Sequence, residues 1–126
     1  MRYIIGALSV LLVIIGATVI NSCYMSVITD EAISYVEDSL SDWDTDDTGA
    51  AVHAAEALNR FWDTKRSYLE SVLMHSELDD ITVTISDFVS AAESGDEDNF
   101  CAAGRLLCVQ LGHLAELEKL RIGNVL

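Results

Sequence analysis

"YIIGALSVLLVIIGATVI", Tyr3 to Ile20, is eighteen residues long and carries no charge. How it is read decides the fold of everything that follows. As a helix it spans about 27 Å at 1.5 Å per residue, close to the roughly 30 Å hydrocarbon core of a bilayer. The uncharged run continues to Thr29. A cleaved signal peptide has a shorter apolar core, about 7–15 residues, with small residues at its cleavage site. Here the run is longer and Ile20 is too large for such a site. The sequence therefore predicts an uncleaved transmembrane signal anchor over residues 1–29. "INSC" (Ile20–Cys23) also resembles a bacterial lipobox, which would make Cys23 a lipid attachment point, although Asn21 is an unusual occupant of that motif. Both readings put the rest of the chain on one side. With Arg2 and the amino terminus held inside, the expectation is a single-pass protein of the cell membrane, N-terminus cytoplasmic and C-terminal domain extracytoplasmic.

Charge divides the chain at the same place. The formal net charge is −14, and every Asp and Glu lies at or beyond Asp30. From there on, 21 acids face six bases (Arg60, Lys65, Arg66, Arg105, Lys119 and Arg121), a formal −15. Such a surface repels nucleic acid and anionic headgroups and suits basic proteins, cations or plain solubility. Proline is absent, as expected of helices joined by short turns. The three cysteines are an odd number and make no disulfide framework. Cys101 and Cys108 stand about 10 Å apart along a helix, too far to pair within it.

Beyond the anchor the apolar residues recur at helical steps. Ile28, Ala32, Val36, Leu40 and Trp43 extend the first helix, and "SDWDTDDTGA" (Ser41–Ala50) interrupts it with capping residues. A second helix, from about Thr48 to Met74, presents Ala51, Ala55, Leu58, Trp62, Leu69 and Val72 on one face. A third carries Leu78, Ile81, Ile85, Phe88 and Ala92. "ESGDEDN" (Glu93–Asn99) turns the chain into a fourth, with Phe100, Leu107, Leu111, Leu114 and Leu117, for which Gly123 is the expected stop. Gly104, Cys108 and Gly112 form a stripe of small residues suited to close packing. The expected fold is all-α: an N-terminal transmembrane helix continuing into an antiparallel bundle of about four helices. Residues 30–126 form one acidic extracytoplasmic domain.

The corner "YLESVLMHSELDDI" (Tyr68–Ile81) gathers a histidine and four carboxylates. A structural reading accounts for them all. Ser76 and Asp79 make a capping box, Glu77, Asp79 and Asp80 fill the acid-favouring first turn of the third helix, and His75 closes the helix before it. A metal site there would use His75, Glu77 and Asp79, yet metal sites need three or four convergent ligands. His113 would have to arrive from another helix. No zinc, EF-hand or phosphate-loop pattern occurs and no nucleophile has a motif around it, so neither an enzyme nor a cofactor is expected. "RFWDTKR" (Arg60–Arg66) concentrates bases beside two aromatics. Intrahelical ion pairing explains the bases; a docking patch of Trp62, Lys65 and Arg66 is the functional alternative.

"FWDTKRSYLESVLMHSELDDI", followed by "GD", a leucine-rich helix and a terminal "GNVL", resembles DUF4363, a family of short bacterial proteins with one N-terminal membrane segment. The residues that carry the resemblance are Trp62, Lys65, His75, Glu77, Asp79, Ile81, Asp96, His113, Glu118 and Asn124, so it covers roughly Trp62 to Leu126. Tyr68 stands where the family pattern has a second tryptophan. The resemblance implies a membrane-anchored helical domain and brings no catalytic residue or cofactor with it.

The expectation is a non-enzymatic protein that binds another membrane or envelope protein as an interaction or accessory subunit. Trp62, Lys65 and Arg66 are its expected contact residues. The rival is a metal- or ligand-responsive sensor built on the His75–Asp80 cluster.

Overall fold

The computed structural model describes residues 1–125, with side chains at all but positions 118, 121, 122, 124 and 125 of these. Four helices account for nearly all of it: α1 (Arg2–Asp44), α2 (Thr48–Val72), α3 (His75–Ser94) and α4 (Glu97–Val125). Among the described residues each helix touches only its neighbours in a closed ring, α1 with α2, α2 with α3, α3 with α4 and α4 with α1. Short turns join them, so the arrangement is an antiparallel up-down-up-down bundle.

The turns follow from their residues. At Asp47 the carboxylate caps α2 by accepting from the Ala50 N–H at 3.1 Å. Gly95 ends α3 in the left-handed conformation, φ 76°, and returns its N–H to Ala92 O, a geometry that glycine adopts at least cost. Asp96 then opens α4: its carboxylate accepts from Asn99 N at 3.3 Å and Asn99 Nδ2 at 2.5 Å.

At the α2–α3 corner the structure departs from the sequence expectation. Leu73 and Met74 are both extended, and α3 begins at His75 with no side-chain cap. Ser76 therefore sits inside the first turn and forms no capping box. His75 opens α3 and does not close α2, and Asp79 and Asp80 move into the second turn. Gly123, likewise, does not end α4, which runs on to Val125. α4 has 29 residues against 20 in α3, so from their shared turn it projects about 13 Å beyond the start of α3.

The core takes every apolar position that the spacing marked on α3 and, on α4, Phe100, Leu107, Leu111 and Leu114. Leu117 is half-buried. Near the α1–α2 and α3–α4 turns, Trp43, Phe100 and Phe88 stack in series, with centroids 4.5 and 4.6 Å apart. Each such contact adds about 0.5–1.5 kcal/mol beyond burial. At the other end Tyr68 of α2 reaches α1: its hydroxyl donates to Asn21 Oδ1, and its ring meets Tyr24 edge-on at 4.5 Å.

α1 thus has two halves. Its buried positions begin at Ser22 and recur at Met25, Ile28, Thr29, Ala32, Val36 and Ser39. Before Ser22 no residue is buried, and Tyr3, Val13 and Ile20 are 91, 71 and 71% exposed. It is the one helix among the described residues long and apolar enough to cross a membrane.

Candidate functional site

The Arg60–Arg66 segment divides between interior and surface. Trp62, one of the expected contact residues, lies inside the bundle and not on its surface. It stands in step with Leu58 and Leu69 on the buried face of α2, is 1% exposed, and gives its indole N–H to Thr82 Oγ1 of α3 at 3.1 Å. Thr82 in turn donates to Leu78 O at 2.7 Å. Lys65 is half-buried between helices, its Nζ 3.2 Å from the Tyr24 hydroxyl and 5.4 Å from that ring's centre. Arg66 is exposed and pairs with Glu70 at 3.2 Å, and Arg60 pairs with Glu56 at 4.0 Å. Both are exposed i,i+4 pairs, worth about 0.3–0.5 kcal/mol. The segment holds α2 against α1 and α3, and its bases are engaged within the protein.

At the α2–α3 corner, His75 and Asp79 are exposed. Among the described residues no three His, Cys, Asp or Glu side chains converge as a metal set. His113 does come close to part of this cluster. A recess of about 130 Å³ between α3 and α4 is lined by Glu77, Asp80, Ile81, Gln110, His113 and Leu114. His75 and Asp79 lie outside it. The Gln110 side chain is half-buried, and its Oε1 is shut off from solvent and accepts no hydrogen bond. The recess exists because the Gly95–Asp96 turn fixes the antiparallel register of α3 and α4, which lays Glu77 and Asp80 opposite Gln110 and His113. Gln110 drew no attention in the sequence, where a lone glutamine on a helix carries no signal.

A wider groove of about 630 Å³ continues along the same outer face, past Asp87, Ala91, Asp96, Ala103 and Leu106. α3 carries Glu77, Asp79, Asp80, Asp87 and Glu93 and no Lys or Arg. The α3 side of this face is therefore anionic, while α4 brings the exposed Arg105 beside Leu106, and Val83, Leu106 and Val109 are exposed around it at 59, 48 and 69%.

The small-residue stripe resolves into unlike positions. A Cβ at Gly104 would lie 3.0 Å from Leu40 Cδ2 and Phe88 Cε1, so this glycine lets α4 approach α1 and α3. Gly112 faces open space. Cys108, between them, is half-buried, and burial first and the Glu37 carboxylate second push its thiol pKa up. Asp96 is explained as a helix cap; the side chains of Glu118 and Asn124 lie outside the described residues.

Residues 19–125 match the family model of DUF4363, a domain of unknown function. No curated protein and no solved structure matches the chain. The match starts inside the apolar segment, upstream of the motifs around Trp62, and takes in the packed half of α1 with all of α2, α3 and α4. On that coverage the chain belongs to the DUF4363 family.

Proposed function

We propose that the protein is a membrane-anchored accessory subunit, without enzymatic activity of its own, whose acidic bundle stands outside the cell membrane and binds another membrane or envelope protein. The observation that carries this reading is the unbroken α1. Its first half is apolar and unpacked, and its second half supplies one wall of the bundle core. A bundle built on its own anchor sits within reach of neighbouring membrane proteins. Arg2 before the apolar run and the −15 charge after Thr29 favour an inside amino terminus and an outside bundle. The core is closed around aliphatic and aromatic side chains, which leaves the surface as the part able to act.

Photo-cross-linking in native membranes tests this, with the reactive group placed in turn at Arg66, His53 and Leu106 of the full-length chain. The expected result is membrane-bound protein giving one defined adduct from one face. Protein recovered outside the membrane fraction, or the same diffuse adducts from every position, would overturn the reading. A thermal shift with zinc, manganese or calcium that His75→Ala abolishes would favour the sensor in its place.

A further inference from the structure

We infer that the α2–α3 corner is a second membrane contact. Met74 seats among the upper acyl chains of the leaflet from which the bundle emerges, and Tyr24, Tyr68 and Lys65 stand at headgroup level. The inference rests on the membrane-anchored reading above and says how the bundle sits on its membrane. Register carries it. Ser39 Oγ donates to Ala51 O at 2.6 Å, Lys65 Nζ to the Tyr24 hydroxyl at 3.2 Å, and the Tyr68 hydroxyl to Asn21 Oδ1. α2 thus descends antiparallel along α1, residue for residue, and carrying that register on from Tyr68 and Asn21 brings Leu73 level with Gly16. Coverage agrees: Tyr3–Ile14 are all exposed, and Ile15 and Gly16 are the first half-buried positions on α1. A bundle standing wholly in water would leave only Tyr3–Ile14 to cross the bilayer, about 18 Å against a hydrocarbon core of about 30 Å. With the whole run Tyr3–Ile20 spanning, the corner lies about 6 Å below the boundary at Ile20, within the roughly 5–10 Å to which interfacial elements are buried.

The side chains at this end fit that depth. The two turns at the far end of the bundle, Thr45–Asp47 and Gly95–Asp96, are polar, as turns facing water are expected to be. The corner turn is Leu73–Met74 instead, and Met74 is 68% exposed. Behind this tip Val72 and Leu73 are half-buried against the core. Farther up, Tyr24 and Tyr68 meet edge-on at 4.5 Å, and Lys65 Nζ stands 5.4 Å from the Tyr24 ring centre. Tyrosines collect at headgroup level, and a lysine there keeps its ammonium in water above an apolar stem. The acids limit the depth. Glu70 is paired with Arg66, and Glu77 lines the α3–α4 recess. Asp79 and Asp80 stand about 6–8 Å above His75 along α3, back at the level of Ile20. His75, next to the tip, joins an apolar ring body to polar nitrogens, a combination suited to an interface.

The test uses the wild-type full-length chain in phosphatidylcholine nanodiscs, methyl-labelled at methionine. Its methionines are Met1, Met25 and Met74, so each NMR methyl signal reports one place: the amino terminus, the sealed core or the tip. Two paramagnetic probes are compared, a phosphatidylcholine spin-labelled near the top of its acyl chain and a water-soluble gadolinium chelate. The Met74 signal should be lost with the labelled lipid and should survive the chelate, as that of Met25 does. A Leu106→Met variant, close to the original side chain in volume, adds a methyl on the exposed face of α4 far from the corner and should behave the other way round. A Met74 signal that the chelate removes and the lipid probe spares would overturn the inference. So would a Leu106→Met methyl that behaves like Met74, because the bundle would then lie on its side. Failure of the underlying reading is seen separately. A chain that does not enter the nanodiscs refutes the anchor, whereas a chain that enters with its Met74 signal open to the chelate refutes the corner contact alone.

Discussion

The indole N–H of Trp62 on α2 meets Thr82 Oγ1 on α3 at 3.1 Å, and the ring behind it is 1% exposed. The residue that looks most like an interface anchor is thus an internal tie between two helices. Trp62→Ala should cost about 3–5 kcal/mol of stability, in the range for deleting a large core aromatic. Thr82→Val leaves the indole donor without its acceptor and should cost about 1–3 kcal/mol. In a Trp62→Phe background there is no N–H to strand, so the same Thr82→Val change should cost much less. Thermal melts of the four proteins in the double-mutant cycle measure the coupling; a coupling near zero would mean that the hydrogen bond contributes nothing.

Trp62 also shows what the sequence could and could not reveal. Its spacing from Leu58 and Leu69 placed it on the buried face, while its neighbours Arg60, Lys65 and Arg66 suggested a surface patch; periodicity was the better guide because burial follows from local geometry. The same rule recovered most of the buried faces of α2, α3 and α4, while on α1 it marked positions only from Ile28 and the core begins at Ser22. The α2–α3 corner escaped because two extended residues, Leu73 and Met74, make the turn where a Ser76 cap was the local alternative. Contacts across helices escaped for another reason. Bringing Glu77 and Asp80 to Gln110 depends on the register between α3 and α4, and no spacing within either helix encodes it.

Gly104 and Gly112 are eight residues apart on α4 and should respond oppositely to alanine. At Gly104 the new Cβ meets Leu40 and Phe88 at 3.0 Å, and Phe88 is stacked on Phe100 with little room to retreat. Overpacking of this kind costs about 1–3 kcal/mol, against a gain of about 1 kcal/mol in helix propensity, so Gly104→Ala should destabilise the bundle. Gly112→Ala meets nothing within 4 Å and should stabilise it by about 0.5–1 kcal/mol. Melting temperatures read both, and a rise for Gly104→Ala would show that Leu40 yields more easily than its packing suggests.

Cys108 should report on the bundle interior through its titration. Burial, and then the Glu37 carboxylate, hold the thiol neutral to higher pH than in the unfolded chain. The folded state therefore keeps a proton that the unfolded state has already released. Stability is unaffected below the unfolded thiol pKa, about 8.5, and falls as pH rises above it, until the folded thiol ionises too. In a Cys23→Ser/Cys101→Ala protein, alkylation of Cys108 should have its pH midpoint displaced upward relative to the urea-unfolded chain. Glu37→Gln should bring the midpoint only part of the way down, because desolvation is the larger cause. A midpoint equal to that of the unfolded chain would refute the burial seen here.

The two halves of α1 should separate under a single charge. Val13 lies in the apolar, unpacked stretch at 71% exposure, so Val13→Asp breaks no contact within the protein, and in water it would be harmless. In a bilayer the same carboxylate near the centre of the span costs about 2.5–3.5 kcal/mol. Val13→Asp should therefore lower the membrane-bound fraction of the full-length chain while leaving the bundle's melting unchanged. Val83→Asp on α3, also exposed at 59%, adds the same charge to the outer face of the bundle and should leave membrane association as it was. Carbonate-resistant membrane retention distinguishes the two. If Val13→Asp is retained as fully as wild type, the apolar half of α1 is covered by protein and not by lipid, and the anchor must be sought elsewhere.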